Sequence, residues 1–258
     1  MNRIKTVFVS DIHLGSKYSK TKEFYTFLRW VDKQKPENVY IVGDFIDGWK
    51  LKRNWYWSPE SNLILRKLFS LAKHGSKIFY VAGNHDEFLR HFIDEISISD
   101  FAGIKIDDEF IYKTVKGDRL LVIHGDQFDA AIQYDLIGNK FWFLLGDYSY
   151  DFLISLNNFI NKIRNIFHLK KWSLSKSIKF KFKQAVKFIS DYEVILSNYA
   201  KEKKCNGVVT GHIHCPDIKV INGIDYYNCG DWVESNTALI EYYDGSFKIF
   251  YFDEELMF

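Results

Sequence analysis

The chain has 258 residues, 47% of them hydrophobic and 26% charged, with a formal net charge of +2. That composition excludes a disordered or collagen-like chain, and the near balance of charge excludes a protein that binds nucleic acid by bulk charge, so any basic feature is local. The three cysteines, Cys205, Cys215 and Cys229, lack Cys-x-x-Cys spacing and predict free thiols in a reducing compartment.

Met1 to Lys5 run straight into a strand without a leader, and the longest uncharged apolar run, around Phe141 to Gly146, is too short to span a bilayer. A cytoplasmic protein is the expectation. Lys5 to Ser10 predicts a strand that delivers Asp11 and His13. Phe24, Phe27, Leu28 and Val31 then mark one face of a helix, and Val39 to Val42 a second strand that ends in Gly43-Asp44-Phe45-Ile46-Asp47. Strand, helix, strand predicts a right-handed crossover between parallel strands. Ile64, Leu68, Leu71 and Ala72 mark a second helix, and Ile78 to Val81 a third strand that ends in Gly83-Asn84-His85-Asp86.

Between Asp47 and the second helix runs Gly48-Trp49-Lys50-Leu51-Lys52-Arg53-Asn54-Trp55-Tyr56-Trp57, read as a loop beside the strand ends. Trp49, Lys52 and Arg53 there either belong to aromatic surface packing or form a wall that grips an anionic, ring-bearing substrate. Both readings stand.

From Ile104 short strands follow: Ile104 to Ile106, Phe110 to Val115, and Arg119 to Ile123, the last delivering His124-Gly125-Asp126. The next strand signal is Gly207 to Thr210. The stretch between is too long for a loop in a compact domain, so a helical insertion is predicted at about 132–203 within a single domain spanning 1–258. Phe152, Leu156, Phe159, Ile160 and Ile163 recur at helical spacing, as do Ile178, Phe182, Ala185, Val186 and Ile189. The insertion mixes many rings with many lysines, among them Trp142, Phe167, Trp172, Lys170, Lys171 and Lys179. These form a core with a solvated face, or a surface for acyl chains and anionic headgroups. The readings overlap, because so small a cap cannot bury that many rings internally. Gly207 to Thr210 delivers Gly211-His212-Ile213-His214, and hairpins follow across Asn222-Gly223 and Asp244-Gly245, with Cys229-Gly230-Asp231-Trp232 between them.

Asp11, His13, Asp44, Asn84, His124, His212 and His214 thus stand at the ends of five predicted strands, where open α/β sheets place their sites. These oxygen donors and imidazoles, with no thiolate among them, suit divalent ions such as Mn, Fe or Zn. Cys215 reads as a space-filling side chain rather than a ligand. Seven ligands exceed the need of one ion. They suit two ions about 3.5–4 Å apart that share a carboxylate, and central Asp44 is the natural bridge.

Asp11-x-His13, Gly43-Asp44-x-x-Asp47, Gly83-Asn84-His85-Asp86, His124-Gly125 and Gly211-His212-x-His214 resemble the five motifs of the calcineurin-like metallophosphoesterase superfamily. The resemblance implies an α/β fold, a four-layered α/β/β/α sandwich with a helical cap, and two divalent metal ions, Mn(II) foremost. It implies that Asp11, His13, Asp44 and His214 hold one ion, and that Asp44, Asn84, His124 and His212 hold the other. His85 would act near the leaving group, oriented by Asp47. Gly43-Asp44-Phe45-Ile46-Asp47-Gly48-Trp49, the insertion after His124-Gly125-Asp126, and Gly230-Asp231-Trp232 make the chain most similar to the UDP-2,3-diacylglucosamine diphosphatases of lipid A synthesis. In that family the insertion is a cap over the acyl chains. The best-known members carry Arg where this chain has His85, the usual superfamily residue.

The implied substrate is a lipid-linked UDP-sugar, with Asn84, Trp49, Lys52 and Arg53 as contacts, cleaved at the anionic cytoplasmic face of the inner membrane and not on nucleic acid. The alternatives are a soluble phosphomonoesterase or phosphodiesterase, and a non-catalytic scaffold on the same fold. The intact ligand set argues against the scaffold.

Overall fold

The computed structural model describes residues 3–90, 100–101, 103–129 and 174–252, with side chains described except at 100–101 and 174–185. Two compact units divide the chain, Met1–Phe128 with Glu193–Phe258, and Asp129–Tyr192.

The larger unit holds two sheets. β1 (Ile4–Val9), β2 (Asn38–Val42), β3 (Lys77–Val81), β4 (Asp100–Phe101), β5 (Ile104–Asp107), β11 (Thr237–Tyr242) and β12 (Phe247–Tyr251) form one, in the order β12-β11-β1-β2-β3-β5-β4. β6 (Glu109–Lys113), β7 (Arg119–Ile123), β8 (Gly207–Thr210), β9 (Asp217–Ile221) and β10 (Ile224–Asn228) form the other, in the order β6-β7-β8-β10-β9. The centre of each sheet is parallel: β1 with β2, β2 with β3, and β7 with β8. The strands predicted from sequence all form, to within two residues at their ends. The two-residue β4 was not predicted, being too short to show a period.

Strand alternation sorts side chains between two cores. Val7, Val9, Val39, Ile41, Ile78 and Tyr80 pack with Phe24, Phe27, Leu28 and Val31 of α1 (Thr21–Gln34) and with Ile64, Leu68 and Leu71 of α3 (Pro59–Lys73). Their neighbours Phe8, Tyr40, Val42 and Val81 point the other way, onto Tyr112, Leu120, Val122 and Val209 of the second sheet. A fully buried Phe or Val at such a position contributes about 1.5–3 kcal/mol. The intersheet layer also holds a polar pin. Thr6 Oγ1 lies 2.6 Å from Tyr112 OH, Tyr112 OH donates to the buried Glu241, and Val115 N–H donates to Glu241 Oε1 at 2.8 Å.

α3 starts where its sequence says it should: Ser58 accepts from Ser61 N–H at 3.2 Å, and Pro59 fills the first turn. α4 (Leu174–Glu202) carries helical periodicity into its last turns. Its C-terminal half joins both edges of the second sheet, since Tyr199 OH donates to Glu109 Oε2 at 3.0 Å and Lys219 Nζ donates to Glu193 at 2.7 Å. With α1 and α3 on the far side of the first sheet, the layers run α/β/β/α.

The Gly48 to Trp57 segment corrects a sequence expectation. Its first part is not a loop but a short helix, α2 (Gly48–Arg53). Asp47 caps it, accepting from Lys50 N–H at 2.9 Å. Asp47 therefore serves both as the helix cap and as a residue of the site. The helical spacing around Phe152 to Ile163 lies outside the described residues.

Candidate metal centre

Each central parallel strand ends in a loop that turns towards its neighbours. Beyond β1 and β2 the loops stay zipped: Asp11 N–H donates to Gly43 O at 3.1 Å, His13 N–H to Asp44 O at 2.9 Å, and Leu14 N–H to Phe45 O at 2.8 Å. Five candidate ligands adopt left-handed backbone: Asp11 (φ 54°), His13 (52°), Asp44 (51°), His212 (69°) and His214 (51°). For residues with a Cβ this costs roughly 1–3 kcal/mol each, and such strain concentrates at functional sites. Two glycines make the convergence possible. A Cβ on Gly43 would lie 2.2 Å from His124 Nδ1, and one on Gly83 would lie 2.3 Å from Asp44 Oδ1.

The side chains meet around two carboxylates. Asp44 Oδ2 lies 3.4 Å from His124 Nε2, 3.8 Å from His13 Nε2 and 3.9 Å from His85 Nε2. Its other oxygen accepts from His85 N–H at 2.9 Å. Asp11 Oδ1 lies 3.2 Å from His214 Nε2 and 3.9 Å from His13 Nε2, while Asp11 Oδ2 accepts from His212 N–H at 2.9 Å. Among the described residues three groups have ligand atoms within 4.8 Å of one another: Asp11, His13 and His214; His13, Asp44 and His85; and Asp44, His124 and His212. All seven candidate ligands lie on these loops, and Asp44 belongs to two of the groups. His85 gathers with them too, although sequence reasoning gave it a different task. Cys215 belongs to none of the groups formed by described residues.

The donor set fits divalent cations. The side-chain oxygen of Asn84 is buried and accepts no hydrogen bond among the described residues, a vacant hard donor beside carboxylates. His124 Nδ1 lies 2.8 Å from Val42 O. A carbonyl only accepts, so Nδ1 carries a proton, and Nε2, which faces Asp44, is the nitrogen left to meet an ion once its own proton is displaced.

The electrostatics point the same way. Burial pushes the Asp44 carboxyl up, but His124, His13 and His85 outweigh it and hold the group well below the usual range. Asp11 is likewise lowered, burial being outweighed by His214. Burial pulls His214 down, and Asp11 more than reverses this, to about 9. His124 is raised well above its ordinary value, Asp44 overcoming burial. The carboxylates call for positive charge. Imidazole protons are one source of it, and a divalent ion is another.

Around this centre, Asp47 Oδ2 lies 3.6 Å from His13 Nδ1, and Trp49 places its ring centroid 4.4 Å from that of His85. Lys52 and Arg53 are exposed on α2. Three supporting residues have roles that the sequence does not assign. Buried Asp86 accepts from Phe45 N–H at 2.8 Å, from Gly83 N–H at 2.5 Å and from Tyr80 OH, tying two ligand loops together. Its only sequence signal was an acid directly after His85. Asp126, quoted above only as the end of the His124 motif, pairs with Arg90, a contact no local pattern announces.

Residues 4–216 match the family described as Calcineurin-like phosphoesterase. The chain is similar to a UDP-2,3-diacylglucosamine hydrolase of Hamiltonella defensa subsp. Acyrthosiphon pisum (strain 5AT), 29% identical over 125 residues, which are 48% of this chain and 46% of that protein. It is also similar to a protein of the same name from Shewanella sp. (strain ANA-3), 26% identical over 248 residues, which are 94% of this chain and 95% of that one. The chain thus spans about half the length of the first of these relatives and nearly all of the second. A crystal structure of a hypothetical protein from Pyrococcus horikoshii OT3 shares the fold, with a TM-score of 0.51 at 10% identity over 98% of this chain and 90% of that one. Five strand-end loops that converge on one histidine and carboxylate cluster, inside a family match that contains all of them, lead to one assignment: the chain belongs to the calcineurin-like phosphoesterase family.

Proposed function

We propose that the chain is a binuclear metal-dependent hydrolase that cleaves the pyrophosphate of a lipid-linked UDP-sugar, UDP-2,3-diacylglucosamine, to UMP and the lipid monophosphate of lipid A synthesis. The observation that carries the reading is the position of Asp44, whose Oδ2 faces three imidazoles from three different loops. Asp11, His13, Asp44 and His214 hold one ion; Asp44, Asn84, His124 and His212 hold the other, with Mn(II) foremost and Fe or Zn as alternatives. Two such ions polarise phosphoryl oxygens and acidify the attacking water.

The chain's own residues do the rest. Asp47 accepts from His85 Nδ1–H at 3.1 Å, which fixes the tautomer and turns Nε2 inward. Burial lowers the pKa of His85, but Asp47 and Asp44 outweigh it and raise it, the direction that suits a group donating a proton to a departing oxygen. Trp49, beside His85, and the exposed Lys52 and Arg53 of α2 receive the anionic, ring-bearing part of the substrate, with Asn84 adding an amide contact. The insertion expected at about 132–203, of which Leu174–Glu202 is helical and 132–173 lie outside the described residues, is assigned the acyl chains in this proposal. The basic, aromatic composition of that stretch supports work at the anionic cytoplasmic face of the inner membrane. Among the described residues no helix is long and apolar enough to cross a membrane. The names of the relatives support the substrate class.

A substrate panel with Mn(II) tests the proposal: acylated UDP-glucosamine, the bare UDP-sugar, an aryl phosphate and a bis-aryl phosphate. Acylated substrate is expected to give by far the highest kcat/KM, since each buried CH₂ contributes about 0.8 kcal/mol. Salt-sensitive adsorption to anionic vesicles is expected alongside. Equal turnover of acylated and bare UDP-sugar without vesicle binding reduces the proposal to a phosphoesterase of other specificity. Two bound ions with no turnover of any substrate favour a binding scaffold.

A further inference from the structure

Arg90 stands six residues beyond Asn84, and Asp126 two beyond His124. Arg90 Nη1 donates to Asp126 Oδ2 and Nη2 to Asp126 Oδ1, each at 3.1 Å, a bidentate fork that fixes distance and plane together. The same guanidinium donates from Nη2 to Ala82 O at 3.0 Å and from Nε to Asp108 Oδ1 at 2.9 Å. Four of its five N–H groups are therefore engaged by the protein, which commits Arg90 to holding structure rather than to gripping a phosphate. What it holds is specific. Ala82 directly precedes Gly83-Asn84, so the fork grips both ends of the Asn84 loop and ties them to the loop that carries His124.

We propose that Arg90 and Asp126 are a positioning pair that sets the spacing of Asn84 and His124, and thereby the affinity of the ion these residues share with Asp44 and His212. The inference rests on the two-ion reading above. Neither residue touches the ion or the substrate. Each acts through the loop it holds, and supporting contacts of this kind typically change metal affinity 10–100-fold.

Equilibrium dialysis of metal-depleted protein against Mn(II) tests it, on the wild type, Arg90→Gln, Arg90→Lys, Asp126→Asn and the double variant Arg90→Gln/Asp126→Asn. The wild type is expected to take up two ions. Each single variant is expected to keep one at wild-type affinity and to bind the other at least ten-fold more weakly, with Arg90→Lys the mildest because it keeps charge but loses the fork. The double variant is expected to be no weaker than the worse single, since both remove one interaction. Asp126→Asn keeps its size and an acceptor oxygen, and carries the measurement if Arg90→Gln does not fold. Two ions at unchanged affinity in every variant overturn the brace. Fewer than two ions on the wild type overturn the two-ion reading instead.

Discussion

Asp47 Oδ1 accepts from two sources at once: His85 Nδ1–H at 3.1 Å and the backbone N–H of Lys50 at 2.9 Å. One oxygen thus starts α2 and orients the imidazole nearest to Asp44 among the residues proposed for proton transfer. Burial pushes the Asp47 carboxyl up, but His13 and His85 outweigh it and keep it ionised far into acid.

From this pairing, His85→Ala is expected to keep both metals and to lower kcat by about 10²–10⁴-fold with little change in KM. The deficit should shrink for a substrate whose leaving group needs no proton. Metal analysis of the purified variant beside its kinetics is the check; loss of metal instead makes His85 a ligand, as its grouping with His13 and Asp44 allows.

Asp44→Ala is expected to lose metal and nearly all activity while the far-ultraviolet circular dichroism stays unchanged. Near-normal metal content in this variant would falsify the bridge.

Gly43→Ala tests the backbone rather than the chemistry. Gly43 has φ 80°, and its added methyl would enter the His124 ring. Strain and overpacking together should cost on the order of 4 kcal/mol, read as a lowered midpoint in urea unfolding. An unchanged midpoint sinks the close-approach account.

The link between α1 and α3 gives a pH dependence away from the metal centre. Asp32 Oδ1 lies 3.0 Å from His74 Nδ1, and its Oδ2 accepts from Lys67 Nζ at 3.0 Å. Burial raises the Asp32 carboxyl, and these two bonds outweigh it and lower it below 3.8. A depressed carboxylate stabilises above its unfolded value, and that contribution is lost as pH falls through the folded one. Because His74 is exposed, about 0.5–1 kcal/mol is expected. Thermal melts of Asp32→Asn and wild type should differ by a few degrees at pH 7 and converge below the ordinary carboxylate value.

Much of this fold was legible because periodicity and site chemistry coincide in the sequence. Phe24, Phe27, Leu28 and Val31 gave α1 by spacing alone, and Asp11, Asp44, Asn84, His124 and His212 each follow a strand that was visible by its own apolar run. What escaped depends on three dimensions. The Arg90 fork spans 36 residues, and Asp86 reaches back 41 residues to Phe45 N–H, so no local pattern records either. α2 was missed for a different reason: six residues are too few for an apolar period, leaving only the cap at Asp47 to announce it.

The left-handed backbone at five candidate ligands has a consequence for laboratory evolution. Glycine occupies that conformation without steric penalty. A screen that rewards heat resistance alone should therefore enrich glycine at His212, whose side chain is only partly enclosed, and harvest hardier proteins that lack one candidate ligand. Libraries built on this scaffold need metal retention as a second selection, or thermostability and chemistry will part company at the residues that matter most.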